Sequence, residues 1–451
     1  MDSSSLAPAA METAKHTGAE SALDALAQEA VTYAFPLAEM SRMRAITSPR
    51  RCHAGPAGEG PDDTRRWCNV FVHSRELLGS GRSRVVTPNN DTLYVNAWLD
   101  LRSGPLVIEV PDTDGRYYVL GLLDFYTNPF GSIGQRCTGT LAGRYVIAPP
   151  DWKGELPADL PVINAPTRWV WIIGRILVDG PADLPAVHQL QEGFHVLPAL
   201  STQSLPERFE PGPQFDPAHP DAARFVAVVN QALAENPPAA QKLPAVARFA
   251  VVGLGAGMEN PSPAQLDLIG AALRACLARW QSTGVAQTRA SGWQYMPPLA
   301  TDFGDDYQLR ALVALKYIGA LDSLEAYYPM AYHDGQGRAL DGRHRYRLRF
   351  APGALPPAQA FWSLTLYNTR DCMLVPNAIQ RFSIGDRTPN LQPDADGGLT
   401  LFLQHDEPAT PLARANWLPA PTGTFYLCLR AYLPIPDFLE GHYELPAVER
   451  L

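Results

Sequence analysis

Between Leu93 and Leu101 the chain alternates: Leu93, Val95, Ala97, Leu99 and Leu101 share one parity, Tyr94, Asn96, Trp98 and Asp100 the other. Successive side chains of a strand point to opposite faces, so this pattern predicts a strand with one apolar face. Further strand-like runs follow at 105–110, 116–126, 143–150 and 168–178, separated by Gly, Pro and Asp turns. That spacing predicts an all-β sandwich domain over 67–180. Ahead of it, Leu23, Leu26, Ala27, Ala30, Val31 and Ala34 keep helical spacing. They predict a helix within a 21–66 segment that ends in a Gly/Pro/charge-rich loop. Residues 1–20 read as a disordered tail.

After 180 the period changes. Helical patterns occupy 182–200, 221–236, 261–281 and 305–329, with a Pro-rich connector at 201–222, so 181–330 reads as a helical section. Alternation returns where Tyr346, Leu348 and Phe350 interleave with Arg345, Arg347 and Arg349, the latter read as a solvated face. Strand-like runs at 360–368, 397–406 and 423–434 complete a second sandwich, read as a jelly roll over 331–451. The predicted fold class is mainly β with a helical section between the two β domains.

Composition narrows the setting. At 451 residues, 46% of them hydrophobic and 18% charged, the chain has material for two or three globular domains. A net charge of −9 without any dense Lys/Arg run argues against nucleic acid as a partner. No window of 18 apolar residues is present, so no membrane span is expected. Six cysteines without a CxxC pair read as reduced thiols, and no secretory signal is read at the N-terminus. The resulting expectation is a soluble, cytoplasmic protein, assembled as a homo-oligomer through the edge strands of its sheets.

Several segments carry a family resemblance. PNNDTLYVNAWLDL (88–101), DFYTNPFGSIGQRCTG (124–139) and GRYVIAPPDWKG (143–154) resemble the bacterial domain of unknown function 1254. LDGRHRYRLRF (340–350), FWSLTLYN (361–368), NAIQRFSIGD (377–386) and NWLPAPTGTFYLCLRAYLP (416–434) resemble its C-terminal companion, domain of unknown function 1214. The resemblance implies an immunoglobulin-like sandwich, a helical section and a C-terminal jelly roll, and it implies no activity. Relatives tend to carry Asn near the position of Asp322, so a role for that Asn does not carry over.

Candidate chemistry gathers at 87–136. Asn89, Asn90 and Asp91 follow Pro88 at the mouth of the first strand; such residues cap turns through side-chain to backbone bonds, which accounts for one or two of the three. The same strand continues with Tyr94, Asn96 and Trp98 on its polar face. A ring platform beside directed polar groups suits a small polar or glycan-like ligand, while an interdomain or subunit interface is the alternative. Asp124 ends a later strand, and Tyr126, Asn128 and Arg136 follow. If the two strands are neighbours, Asp91 and Asp124 would face one cleft and work as an acid/base pair. Tyr126 and Arg136 would then stabilise an anion, with Asn89, Asn90 and Asn128 orienting the substrate. An Asp124–Arg136 salt bridge is the structural alternative. Trp293, Tyr307 and Arg310 are read as a lid or wall over this cleft, with a plain interdomain loop as the alternative, and His73 as a weaker base candidate.

No HxH, HExxH, EF-hand, GxGxxG, P-loop or GxSxG pattern occurs, and GLGAGMEN reads as a turn. Neither a metal nor an organic cofactor is therefore expected. Two functions remain: an enzyme using carboxylate acid/base chemistry on a small polar or glycan-like substrate in a cleft between the first sandwich and the helical section, or a non-catalytic lectin-like or capsid-like module that binds a ligand or assembles.

Overall fold

The alternating stretch forms the strand Thr92–Asp100, an inner strand of a five-stranded sheet. A computed structural model describes residues 7–51, 63–79, 87–299 and 302–451, with side chains from Ser21 onward. In this sheet Thr92–Asp100 and Tyr118–Leu123 both pair antiparallel with Trp169–Leu177, and Val72–His73 and Pro129–Gly134 form the edges. A four-stranded sheet places Leu106–Val110 between His195–Pro198 and Gly143–Ala148, with Val162–Asn164 outermost. Leu93, Val95 and Leu99 from the first sheet share one buried cluster with Leu106, Ile108 and Val110 from the second. The alternation thus did what strand geometry requires: one parity faces a partner sheet.

The other parity does not face solvent. Trp98, Trp171, Val119 and Leu123 are buried in the cluster that contains the central helices. The helix Ala7–Thr47 belongs to this layer and packs on Ala222–Glu235, Pro263–Ser282 and Tyr307–Lys316. From Ala30 to Ser41 every residue of it is buried. A helix enclosed on all sides needs apolar residues all round rather than one stripe, and AVTYAFPLAEM supplies them. Its start at Ala7 lies inside the stretch expected to be a disordered tail; residues 1–6, and 52–62 of the expected loop, lie outside the described residues.

Two helical expectations are corrected. The pattern at 305–329 is helical only over Tyr307–Lys316. Gly319 takes φ +80° and leaves room for Trp171 and Ile173, which a Cβ would approach to 3.1 and 3.0 Å. Beyond it, Ala326–Tyr327 and Met330–Ala331 join the C-terminal sheet as short strands. Likewise 182–200 is a helix only over Leu184–Gln191, after which His195–Pro198 pairs with Leu106–Val110.

In the C-terminal region Phe425–Pro434 pairs with Ala358–Asn368 along nearly its whole length, and Tyr346–Phe350 pairs with Leu399–Gln404 in a second sheet. Leu348, Leu364, Leu401 and Leu427 fill the core that these sheets share. On the outer face Arg347 pairs with Glu449, and Arg349 with Asp394 and Asp396. β-sheets therefore flank a central helical layer. No helix among the described residues is long and apolar enough to cross a membrane.

Candidate functional site

The turn before Thr92 carries the polar triplet to the junction between the first β region and the C-terminal sheet. Asn89 Oδ1 accepts the Asp91 N–H at 2.6 Å, a local turn cap, while its Nδ2 donates to the Tyr432 hydroxyl at 2.5 Å. Asn90 accepts from the Ser383 hydroxyl at 3.0 Å. Asp91 is 4% exposed and its carboxylate takes donors from across the junction. The Ser363 hydroxyl lies at 2.6 Å, the Ser383 hydroxyl at 3.3 Å and the Arg387 guanidinium at 3.3 Å. A cavity of about 680 Å³ adjoins it, walled by Leu77, Leu78, Asn90, Asp91, Ser363 and Arg387 among others. A buried carboxylate must be paired and hydrogen-bonded to be tolerated, and this one is both.

Asp124 does not share that cavity. Because Thr92–Asp100 and Tyr118–Leu123 are each antiparallel to the strand between them, they run in the same direction. Asp91 precedes the first of them and Asp124 follows the second, which puts the two at opposite ends of the strands. The Val178 N–H donates to the Asp91 carbonyl, and Leu123 pairs with Trp171, so Asp124 lies level with Val170. From Val170 to Val178 the strand advances eight residues, or about 26 Å. The expected acid/base pair is therefore not formed. Asp124 instead closes its own turn: Oδ1 accepts the Tyr126 and Asn128 N–H groups at 2.8 and 2.9 Å, and Oδ2 accepts Asn128 Nδ2 at 2.8 Å. Burial holds its pKa above the ordinary value, partly offset by the Asn128 bonds.

The expected Asp124–Arg136 bridge is replaced as well. Arg136 Nε donates to Glu325 at 2.8 Å and the same guanidinium lies 3.9 Å from Asp322, while the Tyr117 hydroxyl donates to the other Glu325 oxygen at 2.8 Å. Trp98 is no ligand platform: it is 1% exposed, stacked on Trp171 at 5.3 Å and 3°, and donates to the Thr47 hydroxyl at 2.8 Å. Tyr94 lies half-buried on the same face, its ring 5.8 Å from the Arg175 guanidinium.

Of the expected lid, Trp293 is in the C-terminal core, fully buried and bonded to the Pro446 carbonyl at 2.9 Å. Arg310 does join Tyr126 and Tyr307, with Tyr33 as a third ring, at 5.6, 5.0 and 5.0 Å. This cluster sits against the N-terminal helix, where Arg310 donates to the Tyr33 carbonyl at 3.1 Å, and Tyr126 donates to the Asn236 carbonyl at 2.9 Å. It is a packed cation–aromatic joint of the helical layer.

Ser363, Ser383 and Arg387, which complete the Asp91 site, went unread, as did Glu325. Arg175 and Arg430 carry a signal of their own, each the lone charge inside an otherwise apolar strand, WVWIIGRIL and FYLCLRAYLP. One cluster with metal-ligand geometry occurs in the interior of the described residues, Cys68, Asp100 and Glu207. There Arg102 takes both Asp100 oxygens at 2.6–3.0 Å, and burial raises the Cys68 thiol well above its ordinary pKa, so neither group is presented as a ligand.

His73 lies beside the rings of Phe71 and Phe194, and no described group bonds its Nδ1. Burial, followed by the Arg75 charge, lowers its pKa from 6.5 to about 4. Below pH 6.5 the unfolded chain therefore takes up this proton first. The contribution to stability is fully present above pH 6.5 and is lost as the pH falls toward 4. His73→Gln is expected to flatten the decline of the urea midpoint across that window; an unchanged decline would assign it to other groups.

Two β regions, each with its own core and joined by a helical layer, with a polar junction where their strands meet, define a two-module protein. Two family models, each described as a protein of unknown function, match the chain: DUF1254 matches residues 68–198 and DUF1214 matches residues 325–436. The chain belongs to the family that combines these two domains. A crystal structure of the VPA0106 protein from Vibrio parahaemolyticus has the same fold, with a TM-score of 0.71 and 23% identity over 95% of this chain and 100% of that one. A putative uncharacterized protein from Burkholderia cenocepacia is more distant, at a TM-score of 0.41 and 13% identity over 94% of this chain and 88% of that one. No curated protein matches the chain.

Proposed function

We propose that the chain is an enzyme without an organic cofactor that binds a small, hydroxyl-bearing polar molecule in the cavity beside Asp91 and uses that carboxylate as proton acceptor. The observation that carries this reading is the Asp91 carboxylate itself, buried at a junction of the two family domains and held by Ser363, Ser383 and Arg387 at a cavity wall. A preorganised carboxylate in a largely water-excluded wall is a suitable general base, and a hydroxylated ligand can exchange bonds with the two serines. The proposed cleft thus lies between the first β region and the C-terminal sheet, not against the helical section. We read the first β region as immunoglobulin-like and the second as a jelly roll.

A second reading, a non-catalytic ligand-binding module, is favoured by the distance of Asp124, which leaves Asp91 without its expected carboxylate partner. One experiment separates the two. A panel of monosaccharides, polyols and hydroxy acids is screened for binding and turnover against the wild-type chain and Asp91→Asn. Turnover is expected to fall about a hundredfold in the variant, the usual scale for an acid–base group. Stability should change by no more than about 1 kcal/mol, since Asn89 still caps the turn and Arg387 keeps its pair with Asp179 at 3.0 Å. Binding without turnover in the wild type supports the module reading. A variant that loses stability while keeping activity per folded molecule leaves Asp91 a structural residue only.

A further inference from the structure

Three arginines are more than nine-tenths buried in the described molecule without a carboxylate hydrogen bond, and they are compensated unequally. Arg310 lies over three aromatic rings, as described above. Arg430, 4% exposed, donates to the Thr365 hydroxyl at 2.9 Å and the Thr87 carbonyl at 3.0 Å, both neutral acceptors. Arg175, 8% exposed, has less: among the described residues nothing accepts from its Nε or NH1, and the only ring its guanidinium overlies is Tyr94. Arginine keeps its charge in any protein interior, so burial does not neutralise it. An unpaired buried charge costs several kcal/mol, which makes a compensating anion the economical solution.

The surroundings of Arg175 match an anion rather than a cation or a neutral acceptor-rich ligand. Tyr94 lies opposite it in register, and Tyr117, Tyr328 and Tyr432 complete its electrostatic neighbourhood. Tyr328 also carries the Arg430 guanidinium 5.9 Å above its ring, which links the two cations. Tyr432 accepts a hydrogen bond from Asn89, so its own hydroxyl proton is left to point elsewhere, and no described acceptor takes it. The carboxylates bonded to this junction's own residues are committed: Asp91 to Ser363, Ser383 and Arg387, Glu325 to Arg136 and Tyr117. The junction therefore offers donors from Arg175 and Tyr432, while Asp91 and Glu325 are already engaged.

We propose that the tyrosine-walled junction around Arg175 is a binding site for a small carboxylate, whose oxygens accept from Arg175 Nε and NH1 and from the Tyr432 hydroxyl. A planar monoanion suits this place, because the field of Asp91 already offsets part of the positive charge on Arg430 and would disfavour a dianion. The site goes beyond the reading of Asp91 as a base and stands without it.

The test uses the full chain and titrates sodium acetate, sodium phosphate and sodium chloride at matched ionic strength, with the thermal unfolding midpoint as readout. Acetate is expected to raise the midpoint saturably, by about 3–5 °C at a hundredfold excess over its dissociation constant. Chloride should not, and phosphate should do so less. Arg175→Met is expected to remove the acetate effect and Asp91→Asn to keep it, which makes failure here distinct from failure of the proposed function. No saturable acetate effect beyond chloride, a stronger effect of phosphate, or an effect retained in Arg175→Met overturns the proposal. Should Arg175→Met not fold, wild-type crystals soaked in bromoacetate decide it. An anomalous bromine peak beside the Arg175 guanidinium supports the site, and ordered water there instead overturns it.

Discussion

Trp98→Ala is expected to lower the stability of the chain by about 3–5 kcal/mol, the cost of emptying a large buried aromatic site. Trp98 is 1% exposed, lies parallel to Trp171 and packs edge-on to Phe125 at 6.1 Å. Its removal opens a gap where the first sheet meets the N-terminal helix, and the stacked partner loses contacts on one side. Thr47, which accepts the indole N–H, keeps its own bond to the Met43 carbonyl at 2.7 Å, so the loss is mainly one of packing. Trp98→Phe keeps most of the apolar volume and should cost only about 1–2 kcal/mol. Urea midpoints of the three proteins, followed by circular dichroism, check this. A ligand platform would behave oppositely, losing affinity while stability held; an alanine variant within about 0.5 kcal/mol of wild type would restore that interpretation.

Gly342→Ala should be at least as damaging. A Cβ on Gly342 would lie 1.6 Å from the Pro421 carbonyl oxygen and 2.8 Å from its carbon, and both are backbone atoms with no rotamer to yield. The Gly342 N–H also donates to the Gly423 carbonyl at 3.0 Å, which pins the two segments together. Relief requires separating the chain at 341–342 from the loop at 421–423 and breaking the bridge between Asp341 and Thr424. The expected loss exceeds about 3 kcal/mol, the upper range for overpacked interiors, and should appear first as reduced soluble yield. Gly353→Ala is the control: its φ of +74° brings modest strain, but no atom lies within 4 Å of the added methyl. Its cost should stay near 1–2 kcal/mol. Equal losses at both positions would mean that the close approach at Pro421 relaxes freely.

What the sequence disclosed about this fold divides along the range of the forces involved. The alternation at Leu93–Leu101 and at Arg345–Phe350 is written by strand geometry over a few residues, and both became strands with the expected parity inside. The Asn89–Asp91 turn is equally local, as the bond from the Asp91 N–H to Asn89 demonstrates. The partners of Asp91 are 272 or more positions away, and no local rule points from Asp91 to Ser363. Asp91 and Asp124 failed as a pair for a related reason: their strands are neighbours but one, and so run the same way. The helical reading of 305–329 fails beyond Lys316 because pairing of Ala326–Tyr327 with Phe425–Pro434 overrides the helical pattern. Arg175 and Arg430 were readable in principle, since a single charge in a buried strand demands a partner.

The enclosed helix at Ala30–Ser41 has a bearing on how the chain is made. Its neighbours on the central layer end at Lys316, so 269 residues must still be synthesised after Thr47 before the layer can close. At about 5–20 residues per second, translation leaves this helix waiting for roughly 13–54 s. Through much of that interval its apolar surface lacks the full set of helical partners, and the face with Trp98 and Trp171 of the β region emerging behind it is the first cover available. The nascent chain therefore has a built-in reason to engage a holding chaperone early, and its yield in a fast-translating host should depend more on that encounter than on the stability of the finished molecule.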